Sequence, residues 1–244
     1  MGGRIVRPEE NASMLELPEI GRLHIGKKEV SPKTGKEYPV SVDYFIPAGK
    51  YAGLFTKALG DKPQTLQIIF PDDNPEKVCN ERYEYRDDKG ALVAKGDGHI
   101  FEVWNGKVYA PYSIEEYPNI MQLITEKNPT NRTRRGEENW DIVLTMRFII
   151  PAVRGVVGVW SFTTKGRASS IKNIRNSFDG VQLMYGSVLD SVFDLSVQFA
   201  KSNKPNDSSR YPVVSLIANA NRIDEVKQNM LPKEKLSILL LDNK

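Results

Sequence analysis

The chain has little of what most enzymes use for chemistry. Among 244 residues there is one cysteine, Cys79, and there are two histidines, His24 and His99. A single thiol forms no internal disulfide and supplies no four-thiolate zinc site. That usage suits a reducing compartment, so a cytoplasmic protein is expected. Two imidazoles restrict triad and histidine–metal chemistry. No apolar run approaches the roughly 20 residues of a membrane helix. The closing "SILLLDNK" is too short for one, and the opening "MGGRIVRPEENASMLELPEIG" is too polar for a signal peptide. No membrane partner is expected. Charge is nearly balanced, with 34 Lys and Arg against 31 Asp and Glu, a net +3. Any basic surface must therefore be local.

The familiar catalytic signatures are missing too. There is no G-x-S-x-G elbow. "GKKEVSPKTGK" is rich in lysine but lacks the spacing that cradles phosphates. Cys79 sits in "EKVCNERYE" with no flanking motif, and an idle buried thiol is its ordinary fate.

What is present is globular material: 40% hydrophobic and 27% charged. Residues 1–18 are polar and read as a flexible arm. Residues 19–126 read as an N-terminal α+β subdomain. "GRLHIGKKEV" and "EYPVSVDYFIP" form a hairpin punctuated by Pro32 and Gly35. Val40, Val42, Tyr44 and Ile46 should share its inner face, alternating with Ser41, Asp43 and Phe45. A short helix follows, ending at Gly60. "TLQIIFP" is a strand, and Asp73 or Asn74 caps a turn before Pro75. "ERYEYRDDKGALVAKGDGHIFEVW" folds back at "DDKG" and again at "KGDG". Residues 113–126 suggest a helix starting at Ser113, distorted by Pro118.

Residues 127–139, "KNPTNRTRRGEEN", are polar and aperiodic, a basic loop at a boundary. Residues 140–244 read as a ββαββ subdomain. Ile142, Leu144, Met146, Phe148 and Ile150 alternate along the first strand, and "VVGVWSFTT" is the second. Ser169 or Ser170 lies near the cap of a helix whose core stripe is Ile171, Ile174, Phe178, Val181 and Tyr185. Phe193, Leu195, Val197 and Phe199 then point inward. "YPVVSLIAN" is another strand and "RIDEVKQNML" a short helix. The fold class expected is α+β, antiparallel sheets with crossing helices.

With these elements placed, the chain resembles the phage and mobile-element recombination directionality factors that partner large serine integrases. Three segments carry the likeness: "GKEYPVSVDYFIP" with "GDKPQTLQIIFPDDNPE", then "AKGDG", then "VLTMRFIIPAVRGVVGVWSFTTKGRASSIKNIRNSFDGV" with the strands near 193–219. In the last, a strand ending at Pro151 leads to Trp160, the turn at Thr164, and the helix start Ser170, Ile171, Asn173, Ile174. The resemblance implies a non-enzymatic factor that docks on a serine integrase and favours excision, meeting DNA directly or through its partner. Many such proteins look metal-binding through cysteines. Here Ala94 stands at the first of those places and the linker 110–136 has no cysteine. No cofactor or metal is expected, and the helix of residues 113–126 is expected to fill that space.

The residues proposed to meet a partner or DNA are Arg132, Arg134 and Arg135 on the loop, and Lys165, Arg167, Lys172 and Arg175 around a turn and helix start. Free N–H groups at a helix start suit an anion, with cations adding charge. Glu137, Glu138 and Asp179 lie close enough to balance them. Trp160, Phe162, Trp104, Tyr109, Tyr112 and Tyr83 would stack on bases if exposed and form core if not. The ββαββ order also suits a small barrel that binds single strands, so a single-stranded DNA-binding protein is the alternative. A second alternative is a metal-dependent hydrolase using Asp97 and His99. Asp72, Asp73, Asp87, Asp88 and Asp97 are read first as turn residues.

Overall fold

The computed structural model describes residues 17–129, 140–202 and 208–222. β1 (Glu19–Val30) and β2 (Glu37–Ala48) form the expected antiparallel hairpin. Gly35 sits in its turn at φ 66°, a conformation other residues adopt at a cost. The alternation expected in β2 does not hold. The register jumps from His24↔Ile46 to Gly26↔Ser41, so residues 42–45 face Ile25 alone. This bulge changes which residues point inward: Val42 and Phe45 are buried, whereas Tyr44 and Ile46 are only partly so. The Phe45 N–H donates to the Pro63 carbonyl at 2.9 Å instead.

α1 (Ala52–Leu59) ends at Gly60, and β3 (Thr65–Ile68) follows. Asn74 caps α2 (Pro75–Val78) by accepting the Glu76 N–H at 2.9 Å. Proline fits there because the first-turn N–H groups have no intrahelical acceptor. β4 (Cys79–Arg86), β5 (Leu92–Gly96), β6 (Ile100–Trp104) and β7 (Tyr109–Ser113) make an antiparallel meander. The last strand was not foreseen; Pro111 is tolerated in it because β7 is an edge. The helix expected from Ser113 begins later, as α3 (Ile120–Lys127), after Pro118 rather than through it.

β8 (Trp140–Phe148) carries the expected inward row, with Leu144, Met146, Phe148 and the following Ile150 buried. β9 (Val159–Thr164) is buried on both faces because it is central. One turn of π-helix, Arg167–Ile171, leads into α4 (Lys172–Tyr185). Neither Ser169 nor Ser170 caps the helix through its side chain. The Ser170 hydroxyl instead accepts the Val214 N–H at 3.0 Å, tying the turn to the neighbouring strand. Ile171, Ile174, Phe178 and Val181 are buried as expected, but Tyr185 is 71% exposed beside Leu183 and Met184. The last turn of α4 projects past the core. β10 (Ser191–Lys201) and β11 (Arg210–Arg222) close the fold. Phe199, expected inward, is 39% exposed near the end of β10, two residues past the buried Val197.

An eight-stranded sheet runs β2-β1-β9-β8-β4-β5-β6-β7, and a three-stranded sheet runs β11-β10-β3. All pairings are antiparallel except β1 with β9. β9 pairs with β1, β8 with β4, and β10 with β3, so residues 19–126 and 140–222 share both sheets. The ββαββ strands are thereby divided between two sheets, and no small barrel forms among the described residues. The main core lies where Leu144, Met146, Phe148, Trp160 and Phe162 meet α4, Phe193, Leu195 and Leu216. Phe70 is its hub, with T-shaped contacts to Phe178 (4.9 Å) and Phe193 (5.2 Å). Each such ring contributes about 1.5–3 kcal/mol through burial. A second cluster lies under α3, where Tyr85, Ala94, Phe101, Ile120 and Ile124 pack together. Residues 1–16 of the arm, most of the 127–139 loop, and residues 223–231 of the expected last helix lie outside the described residues.

Candidate functional site

The basic shoulder forms where β9 passes into α4. Lys165, just after the strand, pairs with Asp141 (Nζ to Oδ2, 2.6 Å). Arg167 opens the π-helical turn and Lys172 opens α4; both are exposed, and neither forms an ion pair among the described residues. Arg175 lies three residues beyond Lys172, on the same side of the helix. It reaches Glu81 at 2.7 Å and Asp179 at 3.5 Å. The Glu81 hydrogen bond, partly opposed by burial, raises the Arg175 pKa and holds the guanidinium charged. Three N–H groups of the turn are already used: Ser169 and Ile171 donate to the Gly166 carbonyl, and Arg167 donates to Lys165. An anion at this helix start would therefore depend more on side-chain charge than on free amides. Arg132, Arg134 and Arg135 lie outside the described residues.

Beside the shoulder opens a cleft of about 560 Å³. α2 contributes Pro75 and Glu76, and the start of β4 contributes Cys79 to Tyr83. The β5–β6 turn contributes Gly96 and Asp97, and α4 contributes Arg175 and Asp179. Members of all three segments that carry the family resemblance thus meet here: Glu76 from the first, Gly96 and Asp97 from the second, Arg175 and Asp179 from the third. The Asp97 carboxylate accepts the backbone N–H groups of Ile100 and His99, both at 2.8 Å. The Ile100 bond, against slight desolvation, leads in holding Asp97 below the usual carboxylate range. Asp97 therefore shapes a turn that borders the cleft.

The other aspartates also act as turn and cap groups. Asp72 accepts the Asn74 N–H and Asp87 accepts that of Ala91, each at 2.8 Å. Asp73 joins distant loops by accepting the Ser187 hydroxyl (2.9 Å) and the Val188 N–H (2.7 Å). Cys79 is 5% exposed. Burial pushes its thiol up to about 12, with Asp179 and Glu81 adding and Arg175 opposing. Such a thiol carries almost no thiolate at neutral pH.

The surroundings of Ala94 do not fit a metal. Ala94 offers no donor atom, and α3 covers it with Ile120 and Ile124. Among the described residues, no group of three His, Cys, Asp or Glu side chains comes together to hold an ion. Trp160 and Phe162 are core, whereas Trp104 is 45% exposed.

Two features were missed from the sequence. Glu81 lines the cleft and holds Arg175 through a pair 94 residues apart in the chain, which no local pattern signals. Glu84, 3% exposed, accepts hydrogen bonds from Arg82 and Arg86 at 2.7 and 2.8 Å. The pattern R-x-E-x-R on a strand was a visible clue, because alternate residues share a face. Burial opposes ionisation of Glu84, but hydrogen bonds and charge from both arginines outweigh it and lower its pKa.

Fold and cleft define a mixed α+β protein with a shielded thiol and an open, charge-lined groove beside a cationic helix start. The chain belongs to the Gp3-like family, described as recombination directionality factor-like, whose family model matches residues 20–219. No curated protein and no solved structure matches the chain. No helix among the described residues is long and apolar enough to cross a membrane.

Proposed function

We propose that the protein is a non-enzymatic accessory factor of phage or mobile-element recombination, which binds a serine integrase and biases it towards excision. The observation that carries this reading is the meeting of three sequence-distant, family-like segments at one cleft and its cationic shoulder. Bias of this kind is a population shift: the factor binds one integrase arrangement more tightly than another. A shift of two to three decades takes only roughly 3–4 kcal/mol of differential binding. Arg167 and Lys172 supply cations that face acidic surface or DNA phosphate, directly or through the integrase. No step of this action asks for a nucleophile or a metal.

The test is recombination of plasmid substrates by the integrase of the same element, with and without the protein. The protein is expected to raise excision. The double variant Arg167→Glu with Lys172→Glu is expected to lower that stimulation at least tenfold. Its stability should stay within about 0.5 kcal/mol of the parent, as for other exposed substitutions. Excision that ignores the wild-type protein refutes the reading.

A second reading, single-stranded DNA binding, has one observation in its favour. The Trp104 and Tyr109 rings meet at 5.2 Å, tilted by 55°, and Lys95 lies 5.4 Å from the Tyr109 ring centre. Aromatic rings with a cation suit unpaired bases. Tight binding of labelled single strands by the protein alone, falling steeply between about 50 and 200 mM salt, would favour it.

A further inference from the structure

We propose that the cleft takes an extended segment of the partner recombinase as an added strand on β4. This rests on the reading of the protein as a recombinase-binding factor. Tyr83 to Arg86 pair with β5 on one side, and Tyr83 to Tyr85 continue the ladder to β8 on the other. Cys79 to Arg82 pair with β8, and among the described residues no strand pairs with them on the cleft side. β5 stops at Gly96, where the Asp97–Ile100 turn carries the chain away into β6. That turn is tight: a Cβ on Gly96 would lie 2.5 Å from the Ile100 carbonyl oxygen.

The backbone directions follow from one bond. The Cys79 N–H donates to the Pro75 carbonyl, so Cys79 directs its N–H away from β8. In an antiparallel ladder alternate residues share a direction. Glu81 therefore directs its N–H and C=O into the cleft, where they face no strand. Four residues give an edge about 13 Å long at roughly 3.3 Å per residue. A cleft of about 560 Å³ lies within the usual range for binding pockets. Strand addition takes affinity from main-chain bonds and selectivity from the flanking side chains.

Those side chains define the occupant. Arg175 is taken by Glu81 and Asp179, and Lys95 by Glu102 at 2.6 Å. Glu76 and Asp97, by contrast, form no salt bridge among the described residues. The segment is therefore extended and carries a lysine or arginine to meet the negative charge of these carboxylates.

Amide hydrogen exchange is to be measured on the full-length protein alone and saturated with the integrase of its element. Slowed exchange at Glu81 is expected in the complex. Glu81→Pro removes the edge N–H without touching the β8 ladder, and is expected to weaken the complex at least tenfold. Glu81→Ala keeps that N–H and is expected to cost less than threefold. A complex that leaves Glu81 exchange unchanged, or equal losses in the two variants, overturns the added strand alone. Failure of the wild-type protein to form any complex overturns the recombinase reading with it. If thermal melting shows Glu81→Pro unfolded, the exchange measurement decides.

Discussion

Cys79 lines the cleft, so its ionisation is a direct measure of whether nucleophilic chemistry is available there. Burial leads in pushing the thiol up to about 12. An ordinary thiol titrates near 8.5, so about a quarter of it is ionised at pH 8, against about one part in ten thousand for Cys79. Because the thiolate is the attacking species, alkylation of the folded protein by iodoacetamide should be at least about a thousandfold slower than that of a free thiol. Stability is linked to the same proton. Folding favours the protonated form, so this contribution is complete below about pH 8.5 and is lost as pH climbs towards 12. The unfolded chain gives up its proton first, at about 1.4 kcal/mol per pH unit. Cys79→Ala lacks the group and so lacks the slope. Urea unfolding at pH 8 and pH 10 should show the parent losing about 2 kcal/mol more than Cys79→Ala. Parallel losses, or labelling of the folded parent within minutes at pH 8, would refute the reasoning and reopen an enzymatic role.

Two further outcomes follow from packing and charge. A Cβ on Gly21 would overlap the Trp160 ring and meet the Ala48 carbonyl oxygen at 3.0 Å. Gly21→Ala should therefore destabilise by about 1–3 kcal/mol as an overpacked site, lower the melting temperature and shift tryptophan fluorescence; unchanged melting would show that the ring has room. Glu84→Gln leaves Arg82 and Arg86 without their shared counter-charge. The expected loss is about 2–3 kcal/mol, below the usual figure for a broken buried pair because both arginines are 34% exposed. Since Glu84 is held below its ordinary pKa, this stability is present above about pH 4.3 and vanishes on acidification. The gap between parent and variant in denaturant unfolding should start to close only as pH falls below about 4.3 and go on closing with further acidification; a gap that stays constant excludes the triad as its source.

Local signals in the chain carried a large part of the fold. Period-two alternation placed Leu144, Met146 and Phe148 on the buried face of β8, and period 3.6 placed Ile171, Ile174, Phe178 and Val181 on that of α4. Gly35, Gly60 and the Asn74–Pro75 pair marked turns because each answers a backbone requirement within a few residues. The likeness of three segments to the directionality factors was equally legible, and the family model spans the same stretch. Tertiary structure alone decided the rest. It set the β2 bulge that brings Phe45 inward, the pairing of β3 with β10 and of β1 with β9, and the Glu81–Arg175 bond. It also turned the tip of α4, with Tyr185, into solvent, and left half of β4 open beside the cleft. The physical reason is that periodicity states that a face will be covered without stating by what. Which strand covers it depends on closing long loops and on shape matching between surfaces far apart in the chain.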